Sequence, residues 1–316
     1  MNQVPSVRPL LHPTEQSRLV LALVASVLAL GLPLYGLISI GGVRLLLYLA
    51  VGLGFFLITI WLGTQMGRAR LLGRSVRVDE YTFPELQRVV DEVCVTLHYN
   101  RPLEVYVTES ARPSISMTSL LGTRIILIEG SLLAELLKPG KHGQLNFLIG
   151  RHVGALRAKL TRLDLIVLIM QWADVLRYVT PFILPYYRAT AYSGDQIGMV
   201  CCGDFASSLE ATKRLLVGGE MASQLADGAV LPQALLVKRR ILSRLAQLLS
   251  AEPHVTNRYA NLMCFARYHD PEAWRAVRAL LDGREAGYLD VIWQRSPYSR
   301  RLDADGRLLH APEGAI

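Results

Sequence analysis

Residues 147–160, FLIGRHVGALRAKL, decide how this chain is read. Phe147, Leu148 and Ile149 make an apolar approach, Gly150 and Gly154 stand four apart, and the run from Gly143 to Leu160 has the spacing of one helix. Residues four apart on a helix lie one above the other, so Arg151 and Ala155 share a face, with His152 beside them. Neither Arg151 nor Ala155 offers a lone pair, because Ala has none and Arg stays protonated in proteins.

Working outward, the chain has 316 residues, is 51% hydrophobic and carries a net charge of +8, with a mean hydropathy of +0.29. That balance is too apolar for an ordinary soluble domain and too charged for a multi-span transporter. The 34 basic residues divide into 29 Arg and 5 Lys without a Lys-rich block among aromatics, so no nucleic-acid partner is expected. Cys94, Cys201, Cys202 and Cys264 form no C-x-x-C pair, which excludes a zinc ribbon and suits a reducing compartment. Residues 19–40 and 45–66 each run 22 residues without a charge, enough to cross a bilayer as a helix. With Gly41, Gly42, Val43 and Arg44 between them, they read as a transmembrane hairpin, 19–66, joined by a tight turn. Arg8 and Arg18 precede it and Arg68, Arg70, Arg74 and Arg77 follow it, so the positive-inside rule puts both ends in the cytoplasm.

The organisation expected from this is an N-terminal cytoplasmic segment (1–18), the hairpin, a basic linker (67–80), a folded domain (81–295) and a disordered tail (296–316). Pro84 opens a helix to about His98, which Asn100, Arg101 and Pro102 end. Residues 103–108 and 124–129 read as strands, with a loop or edge strand between them, and 131–138 as a short helix stopped by Pro139 and Gly140. Residues 163–187 are apolar but interrupted by Asp164, Gln171, Asp174, Arg177, Pro181 and Pro185. They read as a helical excursion against the membrane surface or the hairpin rather than a third crossing. Helices dominate from Arg188 to Trp293. The fold class is α+β: a two-helix membrane hairpin and a mostly helical domain with a small sheet.

Four blocks in order, together with the hairpin, resemble the HtpX-type membrane metallopeptidases, family forty-eight of the metallopeptidases. They are 103–133, the helix 147–160, 188–204, and 252–262 with Pro253 and Arg258 kept. The resemblance implies a zincin domain in which the helix carries H-E-x-x-H, two His binding zinc and the Glu acting as general base. Here those positions are Arg151, His152 and Ala155, within a frame that keeps Gly154. The third zinc ligand falls on Ala191, and the family's Asp on Asp195. The zinc ligands and the general base are therefore absent. A cation at Arg151 would repel a dication by about 8 kcal/mol at about 4 Å. No zinc and no other cofactor are expected.

Two consequences follow from that mapping. Asp195, placed like a carboxylate that orients a ligating His, becomes a candidate ion-pair partner for Arg151. A substrate-aligning edge strand is expected within 111–118, with Ser114 and Ser116 pointing one way and Ile115 and Met117 the other. A hydrolase built from His152 with Ser114 or Ser116 lacks a G-x-S-x-G elbow, and a metal site from His142, His254 and His269 lacks regular spacing. The expected function is a non-catalytic binding or scaffold protein of a cell (inner) membrane, its domain cytoplasmic, its partner an extended peptide or another membrane protein. The alternative is a membrane hydrolase of the metalloendopeptidase type with rebuilt chemistry.

Overall fold

The structure is a computed structural model that describes residues 7–109, 114–120, 123–172 and 176–299. Its helices are α1 (Glu15–Arg74), α2 (Pro84–Thr96), α3 (Gly130–Leu136), α4 (His142–Arg157), α5 (Asp164–Trp172), α6 (Leu176–Cys202), α7 (Phe205–Val217), α8 (Gly219–Ala222), α9 (Val230–Arg239), α10 (Ile241–Leu248), α11 (Val255–His269), α12 (Pro271–Ala279) and α13 (Gly283–Gln294). Four strands, β1 (Ser75–Arg77), β2 (Leu103–Thr108), β3 (Ile115–Leu120) and β4 (Thr123–Glu129), form one sheet in the order β1-β2-β4-β3. β2 and β4 are parallel, while β1 and β3 run antiparallel to their neighbours. The domain is therefore mostly helical with a small sheet, and β3 forms one edge.

Punctuation in the sequence placed several of these elements well. Pro84 occupies the first turn of α2, where its missing N–H costs nothing. Leu86, Val89, Val90 and Val93 bury one face of that helix. At the start of α3 the Glu129 carboxylate accepts from the Ser131 and Leu132 amides, ending β4 and capping the helix in one residue. The main core joins α2, β2, β4, α3, α4, α7, α9, α11 and α13, with Phe147, Leu148, Ile149 and Val153 of α4 fully enclosed.

Three boundaries differ from the sequence reading. Residues 67–74 extend α1, and 75–77 form β1 rather than a linker, because Ser75, Val76 and Arg77 pair with Thr108, Val107 and Tyr106. Gly41 to Arg44, expected as a turn, keep helical backbone, so residues 15–74 are assigned as one helix of 60 residues. The tail does not begin free: Tyr298 is 1% exposed, hydrogen bonded to Gln196 and Asn261, edge-on to Phe265 and tilted against Tyr268. Residues 300–316 of the tail lie outside the described residues.

Within α1, Glu15–Gly36 and Ala50–Arg74 are each long and apolar enough to cross a membrane, with mean hydropathies of 2.2 and 1.5. A straight 60-residue helix would be about 90 Å long. Yet both ends of the run touch one body: the His12 amide donates to Ser193, and Arg68 pairs with Glu104 on β2 at 2.8 Å. From Ser193 the path to Glu104 runs through contacts at Arg151, His152, Ile115 and Ile128 and spans on the order of 40 Å. The axis must therefore bend inside the run, although its backbone stays helical. A second cluster packs Leu19 and Ala22 of α1 against Leu163, Met170, Val179, Ile183 and Tyr186, so residues 163–170 and 179–187 lie against the first apolar stretch.

Candidate functional site

Helices α4 and α6 share the most extensive contact in the molecule, and glycine permits it. A Cβ on Gly198 would stand 2.7 Å from the Phe147 carbonyl oxygen, and one on Gly194 3.1 Å from the Arg151 carbonyl oxygen. Facing them, a Cβ on Gly150 would crowd Cys201 and one on Gly154 would overlap the Ile197 side chain. The pairs Gly150/Gly154 and Gly194/Gly198, each four residues apart, let the two backbones touch. Gly154, kept from the motif frame, is therefore needed for packing whether or not a metal was ever bound.

This crossing brings the motif positions together. A cavity of about 300 Å³ is lined by Arg151, His152 and Ala155 of α4, Ala191 and Gly194 of α6, Ile115, Ser116 and Met117 of β3, and Glu252. Residues that are distant in sequence, 115, 151, 191 and 252, meet there. Among the described residues no group of three His, Cys, Asp or Glu side chains is placed to hold a metal ion.

At the back of the cavity Asp195 is fully buried between two guanidinium groups. Arg258 of α11 holds it with two hydrogen bonds of 2.7 Å, Nε to Oδ2 and Nη2 to Oδ1. Arg151 comes no closer than 3.4 Å, from Nε to Oδ1. The sequence reading paired Asp195 with Arg151 and marked Arg258 only as a matching residue. The geometry makes Arg258 the main partner and Arg151 a weaker second. Burial, then the Arg258 charge, push Arg151 down to about 10, which leaves it protonated at neutral pH. Burial works against the Arg258 charge too, but the Asp195 carboxylate outweighs it and holds Arg258 above its ordinary value. Pro253 is buried just before α11, which carries Arg258.

His152 is held well below the usual histidine range by burial and by the Arg151 and Arg258 charges, against the opposing pull of its hydrogen bond to the Ile115 backbone. Its Nε2 is buried without a partner. A neutral imidazole that uses one nitrogen on Ile115 leaves the other as a bare acceptor. The sign of the pH effect follows. The folded value lies below the unfolded one, so the unfolded chain takes up the extra proton as pH falls through about 6.5, and stability is full above that and declines below it. Acidification from about pH 7.5 to 5 is expected to lower the thermal midpoint less in His152→Gln than in the parent. His269, also shifted down mainly by burial, remains in both proteins, so the difference between them reports His152 alone. Equal acid sensitivity would mean that His152 already titrates normally.

β3 carries the other half of the site. The Glu129 amide donates to the Ser114 carbonyl, which fixes the hydrogen-bond phase of the antiparallel pair. Ser114, Ser116 and Thr118 therefore bond to β4, while Ile115, Met117 and Ser119 turn their backbone groups to the outer edge. His152 lies against Ile115, α1 passes beside the strand, and among the described residues the outward backbone groups of Met117 and Ser119 have no hydrogen-bond partner. Ser114, Ser116 and Thr118 have exposed side chains and Ile115 and Met117 half-buried ones, an alternation that matches the expected one. Residues 111–113 of the expected edge lie outside the described residues.

Sequence reasoning missed Arg188, which is buried and donates to the Gln247, Leu248 and Ser250 carbonyls, fixing the end of α10 beside Glu252. An arginine serving carbonyls across about 60 residues leaves no local pattern to find. No protein-family model matches this chain, and no curated protein or solved structure matches it.

Proposed function

We propose that this is a membrane-anchored, HtpX-like pseudopeptidase that holds an extended segment along β3 without cutting it. The observation that carries this reading is the meeting of Arg151, His152, Ala155 and Ala191 in one cavity beside the open rungs of β3. A strand-shaped partner gains affinity from main-chain hydrogen bonds and needs no metal for it. Hydrolysis would need either a metal or a nucleophile on a base. Ser116 lines the cavity, yet His152 Nε2 has no partner, so the hydroxyl is not activated.

In this reading the two apolar stretches cross a cell (inner) membrane twice, with both ends and the domain on the cytoplasmic side. Two features support the even number of crossings. The ends of α1 touch the same body, and Arg8, Arg18, Arg68, Arg70, Arg74 and Arg77 flank the pair.

A photoreactive residue at Ser116 is expected to capture one dominant uncleaved peptide in cells, and one at exposed Glu85 to label diffusely. Met117→Pro removes an outward donor but no bond to β4, so it should abolish capture while leaving the fold intact. Diffuse labelling from Ser116, or digestion of casein by the purified chain, would sink the proposal.

A further inference from the structure

A second cavity, larger than this cleft, lies away from it at the foot of the first apolar stretch. It measures about 870 Å³ and is lined by Arg8, Glu15 and Leu19 on one side and Arg157, Lys159 and Arg162 on the other. Four cations against one carboxylate leave a net charge of +3 (4 − 1). Arg8, Arg157 and Lys159 have exposed side chains, and among the described residues none of the three has a carboxylate within ion-pair distance. Arg162 hydrogen bonds to the Lys159 and Ala158 carbonyls at the end of α4, which fixes the turn carrying these charges.

Glu15 is the second observation. It is 1% exposed and its Oε1 is buried with no hydrogen-bond partner. A buried acceptor left unpaired has lost its water without compensation, so the site asks for a donor as well as an anion. Inorganic phosphate suits the cations and carries an O–H at neutral pH, but it has no apolar part to meet Leu19. A phosphodiester joining a hydroxylated headgroup to an apolar body supplies anion, donor and apolar part.

Position points the same way. Leu19 follows Glu15 by one helical turn, about 6 Å along the axis, and opens the uncharged run. The polar layer of one leaflet is about 5–8 Å deep, so the cavity lies at headgroup level if that run enters the hydrocarbon. Leu19 gives it an apolar wall where the run begins, and Val7 and Leu11, packed against the domain core, line it as well.

We propose that this cavity binds the headgroup of an anionic glycerophospholipid, its phosphate on Arg8, Arg157, Lys159 and Arg162 and a headgroup hydroxyl donating to Glu15 Oε1. The assignment rests on the reading that the first apolar stretch crosses a membrane. Arg157 and Lys159 are the variants of choice, being exposed and outside the core. Lys159 has φ +57°, a left-handed backbone that Asn adopts readily, so Arg157→Gln/Lys159→Asn keeps the fold.

The full chain, purified in mild detergent with added phosphatidylglycerol, is expected to retain one such lipid in native mass spectrometry. Phosphatidylethanolamine and phosphatidylcholine should be lost on washing, and inorganic phosphate should not displace the bound lipid. The double variant should retain phosphatidylglycerol about thirtyfold less well, as each basic residue near an anionic lipid contributes about fivefold. Equal retention by the variant would overturn the assignment. Displacement by inorganic phosphate would overturn it in favour of a free-phosphate site. Alkaline carbonate extraction separates the two readings. Release of the chain from membranes overturns the crossing and this site with it, whereas a membrane-retained chain without bound lipid overturns the site alone.

Discussion

Replacing Asp195 by Ala is expected to destabilise the domain by about 3–5 kcal/mol, a fall in thermal midpoint of roughly 6–20 °C for a domain of this size. The magnitude comes from what is left behind. Arg151 and Arg258 share this one buried carboxylate, with Arg258 only 4% and Arg151 10% exposed at the side chain. Removing it strands two cations, and burial followed by their mutual repulsion already pushes Arg151 down. Thermal unfolding of the full chain in detergent checks this. A shift under about 2 °C would mean that water reaches the pair and that the triad does not hold α6 to α11. A further variant separates charge from shape: Asp195→Leu with Arg151→Met and Arg258→Met should recover much of the loss, because apolar groups of similar volume often replace buried ion pairs without cost.

Replacing Gly198 by Ala is expected to cost about 1–3 kcal/mol or more, even though Ala is the better helix former by about 0.5–1 kcal/mol. The added methyl would stand 2.7 Å from a main-chain oxygen of α4 and 3.0 Å from the Arg151 nitrogen. Neither can move unless the helix moves. α4 would have to slide away from α6, and the cavity between β3 and the two helices would widen with it. Both stability and any capture from position 116 should therefore fall together. Gly283→Ala, where nothing lies within 4 Å, is the matched control and should be neutral. Matching midpoints for the two variants would show that the crossing tolerates a methyl group.

Much of the domain was legible because its signals are local. Pro84, the Asn100-Arg101-Pro102 break and the Pro139-Gly140 stop act on their own backbone, and α2, β2, β4 and α3 fall within a few residues of the expected limits. β1 was not legible, because a three-residue strand has no period to detect and exists only by pairing with β2. Nor was the anchoring of Tyr298, which polar neighbours disguise as tail and which only the pocket of Gln196, Asn261, Phe265 and Tyr268 makes a core residue.

The candidate site divides along the same line. By itself the sequence determined that positions 151, 155 and 191 carry no metal ligand, since that is a property of side-chain chemistry and not of geometry. It also determined two uncharged stretches long enough to cross a bilayer, since length and hydropathy add along the chain. Tertiary structure alone decided which cation Asp195 takes: Arg258 lies 63 residues away, and its fork reaches both carboxylate oxygens only because α11 packs against α6. It alone decided that Met117 and Ser119 face outward, because hydrogen-bond phase belongs to the β3–β4 pair rather than to either strand. Ion pairing and strand phase depend on distances between elements, which a sequence carries only once the chain has folded.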